Sequence, residues 1–195
     1  MHPGDVFGHV VSTVEILVGI SCTALITGLV FSRFSQPHAK LLFARTPVIR
    51  PLGGSQALMM RVANARLNAI SEASANLRLM RMEMDDDGEL VRNIYDLKLE
   101  RDHHPVFVMG WNIVHKIDES SPLFRQTPES LKISDAQLIL SIEGIDDNTD
   151  QFMRSRHVYS AREIRWQRRY TNLVNIESNG VHRIDYARIH DVDPV

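Results

Sequence analysis

The side chains that could perform chemistry in this sequence are scattered and match no catalytic pattern. The nine histidines occur singly apart from the adjacent pair His103–His104, whose side chains would point to opposite faces of a strand. We interpret that pair as solvated loop residues. The sequence has no glycine-rich phosphate loop, no Cys-x-x-Cys pair and no His-Glu-x-x-His helix. We therefore predict a protein that is not an enzyme, without a metal site or a cofactor.

Hydroxyl side chains do occur at helical spacing, inside an apolar segment near the N-terminus. Residues 10–31 carry a single charge, Glu15, and ~20 apolar residues are enough to cross a bilayer. Five side chains at intervals of three or four would share one stripe of a helix: Ile16, Ile20, Thr23, Thr27 and Phe31. The two hydroxyls predict a stripe that faces protein or water. The alternative is a helix that only anchors the chain in the membrane, in which small residues such as Gly19 and Gly28 have no specific role.

The charges around this segment predict its orientation. Residues 17–70 contain six basic residues and no acidic one, so the positive-inside rule places the C-terminal side in the cytoplasm. Residues 1–15 contain no Lys or Arg, which argues against a cleaved signal peptide. A buried helix of a soluble protein is the alternative to a membrane helix.

Composition limits the class of protein further. The chain has 195 residues, with 22 Lys and Arg against 24 Asp and Glu, and a net charge of -2. Phosphate recognition needs a basic surplus, so we expect no nucleic-acid partner. The single cysteine, Cys22, excludes an intrachain disulfide.

The remainder of the chain has the pattern of β-structure. Apolar or alternating runs at 56–64, 75–84, 104–114 and 135–144 are separated by turn-forming residues at 51–54, 85–88 and 120–122. Ser178-Asn179-Gly180, between two further runs, indicates a hairpin. We predict a helix within residues 1–34, a linker over 35–46 and an antiparallel β-sandwich over 47–195.

Several segments resemble inward-rectifier potassium channels. Residues 115–123, His-Lys-Ile-Asp-Glu-Ser-Ser-Pro-Leu, are similar to that family's His-x-Ile-Asp-Glu-x-Ser-Pro-Leu segment. The segments 27–34, 58–64, 139–144, 163–170 and 184–186 match others in the family's order, the first of them in its prokaryotic branch. The resemblance implies a mainly β protein with one transmembrane pore-lining α-helix followed by a cytoplasmic immunoglobulin-like β-sandwich domain.

The resemblance also implies an activity and a location. Four identical subunits would surround one pore and pass K+ across the cell inner membrane. We also class this expected activity with the voltage-gated channels. The family's Thr-Val-Gly-Tyr-Gly filter lies just before a segment similar to residues 1–3, so we expect a subunit fragment that begins after its filter. A non-conducting, membrane-anchored β-sandwich that regulates another protein is the alternative.

Within the helix, the resemblance assigns roles to single residues. The stripe described above would line the pore, and a ring of four Phe31 side chains would close it by dewetting. Gly19 or Gly28 would supply a bend for opening, although helix packing explains either glycine equally well. Thr23 lies where strongly rectifying relatives carry an acid, which implies weak block by Mg2+ or polyamines.

Four residues are expected in the cytoplasmic part of the pore: Glu72, Glu143, Gly144 and Ile145. The two glutamates match vestibule acids of the family, and Ile145 would form an apolar constriction. His104 falls at a third acidic position, where it would reduce the negative charge and add sensitivity to pH. For each glutamate taken alone, a solvated strand end is the alternative.

Lipid partners are expected at the cytoplasmic end of the helix. Arg33 and Lys40 match basic residues that hold anionic phosphoinositide headgroups in relatives, whereas Gln36, His38 and Ala39 depart from that pattern. Positive-inside anchoring explains both basic residues equally well. The expected partners are therefore membrane lipids and three further copies of the chain.

Overall fold

The computed structural model describes residues 6–34, 41–65, 68–176 and 182–195. The chain divides into two compact units, Met1–His38 and Ala39–Val195. The first unit contains one long helix, and the second consists mainly of antiparallel strands. The predicted fold class, mainly β with one apolar N-terminal helix, is confirmed.

Helix α1 runs Val6–Phe34, a length of 29 residues. At 1.5 Å per residue it is roughly 43 Å long, more than the ~30 Å hydrocarbon core of a bilayer. Among the described residues, Val6–Ser32 is the one segment long and apolar enough to cross a membrane. Thr13 and Thr23 donate their hydroxyls to the carbonyls of His9 and Gly19, at 2.8 and 2.9 Å. These bonds satisfy both hydroxyls within the helix, as apolar surroundings require.

The described part of the second unit contains fourteen strands and a short helix. The strands of the first half are β1 Leu41–Phe43, β2 Val48–Leu52, β3 Ser55–Asn64, β4 Ile70–Met84, β5 Leu90–Leu97, β6 His103–Phe107 and β7 Gly110–Ile117. Helix α2 follows at Pro128–Ile133. The later strands are β8 Gln137–Asp146, β9 Gln151–Ser160, β10 Arg165–Trp166, β11 Arg168–Tyr170, β12 Val174–Ile176, β13 His182–Ile184 and β14 Val192–Pro194.

Two five-stranded sheets form the sandwich. In the first sheet β3 pairs with β7 on one side and with β1 and β2 on the other, and β10 runs parallel to β2. In the second sheet the order is β9, β8, β4, and both β5 and β6 pair with the far side of β4. Side chains from both sheets share one buried core, including Leu58, Trp111, Leu79 and Leu140.

The turns predicted at 51–54 and 85–88 are present in the structure. Gly53 and Gly54, with φ of 59° and 87°, form the tight turn between β2 and β3, because glycine has no Cβ to oppose positive φ. Gly88, with φ of 80°, lies in the turn between β4 and β5. Residues 178–180 are outside the described residues, but β12 and β13 on either side of them pair in antiparallel fashion.

Two details differ from the sequence patterns. The run at 104–114 is divided into β6 in the second sheet and β7 in the first, with a break at Val108 and Met109. Within the span predicted as linker, Leu41–Phe43 forms β1 and pairs with the end of β3. Both features depend on pairing with strands that are distant in sequence, which local periodicity does not encode.

The segment that carries the family resemblance has a structural role. His115 is buried; its Nδ1 lies 2.7 Å from the Lys98 carbonyl and its Nε2 lies 2.8 Å from Ser121 Oγ. A carbonyl only accepts, so Nδ1 carries the proton and Ser121 donates to Nε2. Burial lowers the pKa of His115 and keeps it neutral. Ser121 Oγ in turn accepts the Leu123 N–H at 3.1 Å, so the motif fixes the loop after β7.

Candidate functional site

The residues expected in the cytoplasmic pore lie together at one end of the second sheet. Strand pairing places Ile145 opposite Ser71 and Glu143 opposite Ser74. Between these two pairs the register shifts, and Glu72 has a φ of 49°. This is a β-bulge with a non-glycine residue in the left-handed region, a conformation that costs about 1 kcal/mol or more. The structure therefore brings together Glu72, Glu143, Gly144 and Ile145, as their predicted shared role requires.

The bulge determines which residues of β4 share a face. Side chains alternate along a regular strand, so Ser71 and Ser74 would otherwise lie on opposite faces. The extra residue at Glu72 restores them to the same face, and Ala73 between them is fully buried. Two neighbouring rows of side chains consequently cross the sheet at this end. We call them the apolar row and the charged row.

The apolar row consists of Val106, Ser71, Ile145 and Phe152, which are opposite one another on successive strands. Its three apolar members are 51%, 36% and 65% exposed. Ile145 and Phe152 are neighbours in this row, and contiguous exposed apolar side chains mark a surface that another molecule covers. Ile145, the expected constriction residue, is at the centre of this row.

The charged row consists of His103, Ser74, Glu143 and Arg154. Arg154 Nε lies 3.0 Å from Glu143 Oε1. Glu72, from the bulge, reaches the same row, and its Oε2 lies 2.8 Å from His103 Nε2. Each of the two expected vestibule acids therefore has a basic partner within the same subunit.

Gly144 allows β8 to approach the bulge. A Cβ on this residue would lie 2.6 Å from Ile70 Cγ2, 3.1 Å from the Ser71 carbonyl oxygen and 3.2 Å from Ala73 Cα. Cβ contacts below 3.0 Å essentially never occur in real structures. The glycine is thus required by packing between β4 and β8.

The turn after Ile145 is anchored from both sides. Asp146 is buried, and its carboxylate accepts the N–H groups of Asn148 and Thr149 at 3.0 and 3.3 Å. Asp147 accepts the hydroxyl of Ser71. These bonds hold the segment that carries Ile145 against the start of β4.

The expectation for His104 is wrong in position. His104 is opposite the buried Ala73 and packs against the rings of Phe107 and Trp111, with centroids 5.7 and 5.5 Å away. Desolvation lowers its pKa, so it stays neutral at the edge of the core. His103, one residue earlier, takes the place beside Glu72.

Two residues of the site were not identified from the sequence, His103 as a partner of Glu72 and Arg154 as a partner of Glu143. The signal for Arg154 was the β8–β9 hairpin, because Asp146 opposite Gln151 also places residue 143 opposite residue 154. No comparable signal exists for His103, since its position depends on the bulge.

The residues expected to line the membrane pore lie on α1. Ile16, Ile20 and Phe31 are exposed, and so are Thr23 and Thr27. Around Gly19 and Gly28 no atom lies within 4 Å of an added Cβ, so the described residues leave both positions open to close approach by another helix. The side chain of Arg33 and the whole of Lys40 lie outside the described residues, so the expected lipid contact stays a prediction.

Comparison with known proteins finds relatives that match most of this chain. Residues 41–195 match the family model of the inward rectifier potassium channel C-terminal domain. The chain is 33% identical over 180 residues to the inward rectifier potassium channel Kirbac3.1 of Paramagnetospirillum magnetotacticum, covering 92% of this chain and 61% of that protein. It is 31% identical over 188 residues to human inward rectifier potassium channel 4, covering 91% of this chain and 41% of the relative. The chain thus spans about three fifths or less of these two relatives.

Proposed function

We propose that this chain, which belongs to the inward rectifier potassium channel family, contributes the pore-lining inner helix and the cytoplasmic domain of a K+ channel subunit. The family is one of channels and not of enzymes. Because the matched region covers only part of its relatives, K+ transport, tetramer formation and the inner-membrane location are proposals for this protein. Family membership supports K+ transport, the apolar helix Val6–Ser32 supports a membrane location, and the apolar row, which a single chain leaves exposed, supports assembly with further copies.

In the proposed channel, four subunits surround one pore. The stripe of α1 faces the conduction path, with Phe31 as the cytoplasmic constriction and Gly19 or Gly28 as the point of bending. In this arrangement four Ile145 side chains of the apolar row surround the cytoplasmic pore, where a narrow apolar ring resists hydration. Phosphoinositide headgroups bind the basic residues Arg33 and Lys40 at the membrane surface.

The expectation that the channel is voltage-gated is wrong for an inward rectifier family. Voltage sensors need several arginines within a membrane helix. The charged residues of Val6–Phe34 are Glu15 and Arg33 alone. In the proposed channel, voltage dependence comes from blocking cations, for which Mg2+ and polyamines are the proposed species.

The defining experiment is K+ flux through the protein encoded by the complete reading frame, including any codons in frame before Met1. We expect K+ uptake into proteoliposomes that exceeds Na+ uptake, together with a tetramer in detergent. An in-frame stop directly before Met1, or a tetramer that passes no K+, would contradict the proposal. That result would favour the non-conducting regulatory protein.

The pairing of both vestibule acids gives a specific prediction about block. Replacing His103 and Arg154 together by glutamine frees the Glu72 and Glu143 carboxylates in every subunit. We expect the affinity for internal spermine to rise about tenfold, because an enclosed ring of carboxylates concentrates polycations. The dose dependence of outward current in excised patches measures this.

The control is Arg165→Gln, which removes one arginine charge, as the Arg154 replacement does, from an exposed position on β10 in the other sheet. Its spermine affinity should equal that of the wild type. If the control and the double variant shift the affinity equally, the effect is one of overall charge and the charged row does not line the cytoplasmic pore.

A further inference from the structure

A cavity beside the first sheet contains the buried arginine Arg61. Arg61, on β3, is 7% exposed. Its Nε donates to Asn112 Oδ1 at 3.1 Å and one Nη donates to the Thr171 carbonyl at 2.7 Å. Within the described residues no carboxylate forms an ion pair with it. Its guanidinium has five N–H donors, so these two bonds leave three of them for other acceptors.

The aromatic ring next to Arg61 does not supply the missing negative charge. The guanidinium carbon lies 4.5 Å from the centre of the Tyr170 ring. Burial raises the pKa of Tyr170, and its hydroxyl donates to the Thr46 carbonyl at 2.7 Å, so the phenol is neutral. Asp193, an acid of the nearby β14, accepts the Thr171 hydroxyl at 3.0 Å instead.

A buried guanidinium without a counter-charge is costly. Desolvation lowers the pKa of Arg61, but arginine keeps its proton in proteins. The charge therefore has to be offset by hydrogen bonds, by the ring and by whatever enters the cavity. An oxyanion in the cavity would gain a charge-assisted bond to the guanidinium.

The walls of the cavity define what kind of anion fits. Its volume is about 200 Å³, smaller than the 300–1,000 Å³ of typical drug-sized pockets. Arg61 and the amides Asn112 and Asn172 form its polar side, and Met109 and Leu173 line its apolar side. A carboxylate matches the planar fork of a guanidinium, and a short hydrocarbon chain matches the apolar side.

We propose that this cavity binds a small organic carboxylate with a short apolar chain, held by Arg61. The cavity is lined by residues of β3 and β7 and, from the C-terminal part of the chain, by Asn172, Leu173 and Tyr186. Bound carboxylate therefore links the first sheet to the C-terminal segment and stabilises their contact. This assignment is independent of K+ conduction and is tested by binding alone.

The test uses the full chain in detergent micelles, with sodium butyrate as the probe and sodium chloride at equal ionic strength as the reference. We expect butyrate to bind with a Kd on the order of 1 mM by calorimetric titration, as suits so small a ligand. At 20 mM it should raise the Tm by about 5 °C. Inorganic phosphate, which has no apolar chain, should bind more weakly.

Asn112→Asp is the decisive variant, because it keeps the acceptor for Arg61 Nε and adds a carboxylate of nearly the same shape. We expect this variant to fold, to have a higher Tm in chloride than the wild type, and to lose the response to butyrate. The control Asn76→Asp makes the same change at an exposed position of β4 and should keep the full response.

Three results would overturn the assignment. The first is a butyrate response in Asn112→Asp equal to that of the wild type. The second is a response to phosphate equal to the response to butyrate, which would mean that the apolar side of the cavity does not contribute to ligand selectivity. The third is the absence of any response in the wild type with loss of the oligomer in Asn112→Asp, which would assign the anion to a carboxylate of another copy of the chain.

Discussion

Replacing Gly144 by alanine is expected to lower the free energy of unfolding of the β-domain by about 3 kcal/mol. The added Cβ would lie 2.6 Å from Ile70 Cγ2, and the other two nearest atoms belong to the backbone of Ser71 and Ala73. A side chain can rotate away, but the backbone of a strand paired on both sides cannot. β4 and β8 must therefore move apart by a few tenths of an ångström at the bulge.

The measurement is chemical denaturation of the chain in detergent, followed by the fluorescence of Trp111, which is 1% exposed in the folded state. Gly110→Ala is the matched control, because its Cβ would meet only the Val62 carbonyl oxygen at 3.8 Å. The control should cost less than about 1 kcal/mol. Equal losses in the two variants would show that the close approach at Gly144 is not what holds the two strands together.

A functional consequence follows from the position of Gly144 between Glu143 and Ile145. If β8 moves away from the bulge, the charged row and the apolar row both lose their alignment across β4. Gly144→Ala should therefore also change spermine block and single-channel conductance, even at temperatures where the domain remains folded. If Gly144 lies in the cytoplasmic pore, as proposed, it acts there through packing.

Much of the fold follows from local patterns in the sequence. The apolar segment 10–31 exceeds the length of most helices in soluble proteins, and tertiary contacts are not needed to make it helical. The glycines at 53, 54 and 88 mark turns because positive φ has few other solutions. The strand within 135–144 buries the face that carries Leu138, Leu140 and Ile142, which fixes its register against its partners.

The parts that could not be predicted depend on contacts between distant segments. The bulge at Glu72 changes which face each residue of β4 presents, and nothing in the local pattern announces it. The family resemblance placed His104 beside the acids, whereas His103 is found there. The division of residues 104–114 between two sheets also depends on contacts between distant segments, because an apolar run can pair with strands of either sheet.

The second large effect is expected at Thr23. Thr23→Asp should increase the affinity for internal spermine roughly 100-fold, equivalent to about 2.7 kcal/mol, because four carboxylates would surround a cation in a medium of low dielectric constant. In the wild type the Thr23 hydroxyl donates to the Gly19 carbonyl at 2.9 Å. In the proposed ring of four Thr23 side chains there is therefore no charge, and each hydroxyl proton is already used in a hydrogen bond. Outward current of the complete channel should therefore change from weakly to steeply blocked.

Thr23→Asn is the control, since it keeps the size and polarity of aspartate without its charge and should leave the block unchanged.

Two alternatives are separated by this comparison. If α1 is a plain anchor, residue 23 faces lipid, and Thr23→Asp should impair insertion without altering spermine affinity in the channels that remain. If the stripe lines the pore, the charged row and Thr23 act on the same polycation in series, and the effects of Thr23→Asp and of the His103/Arg154 double variant should multiply. Spermine block that is insensitive to charge at residue 23 would remove Thr23 from the conduction path, and with it the assignment of Ile16, Ile20, Thr27 and Phe31 to the same face.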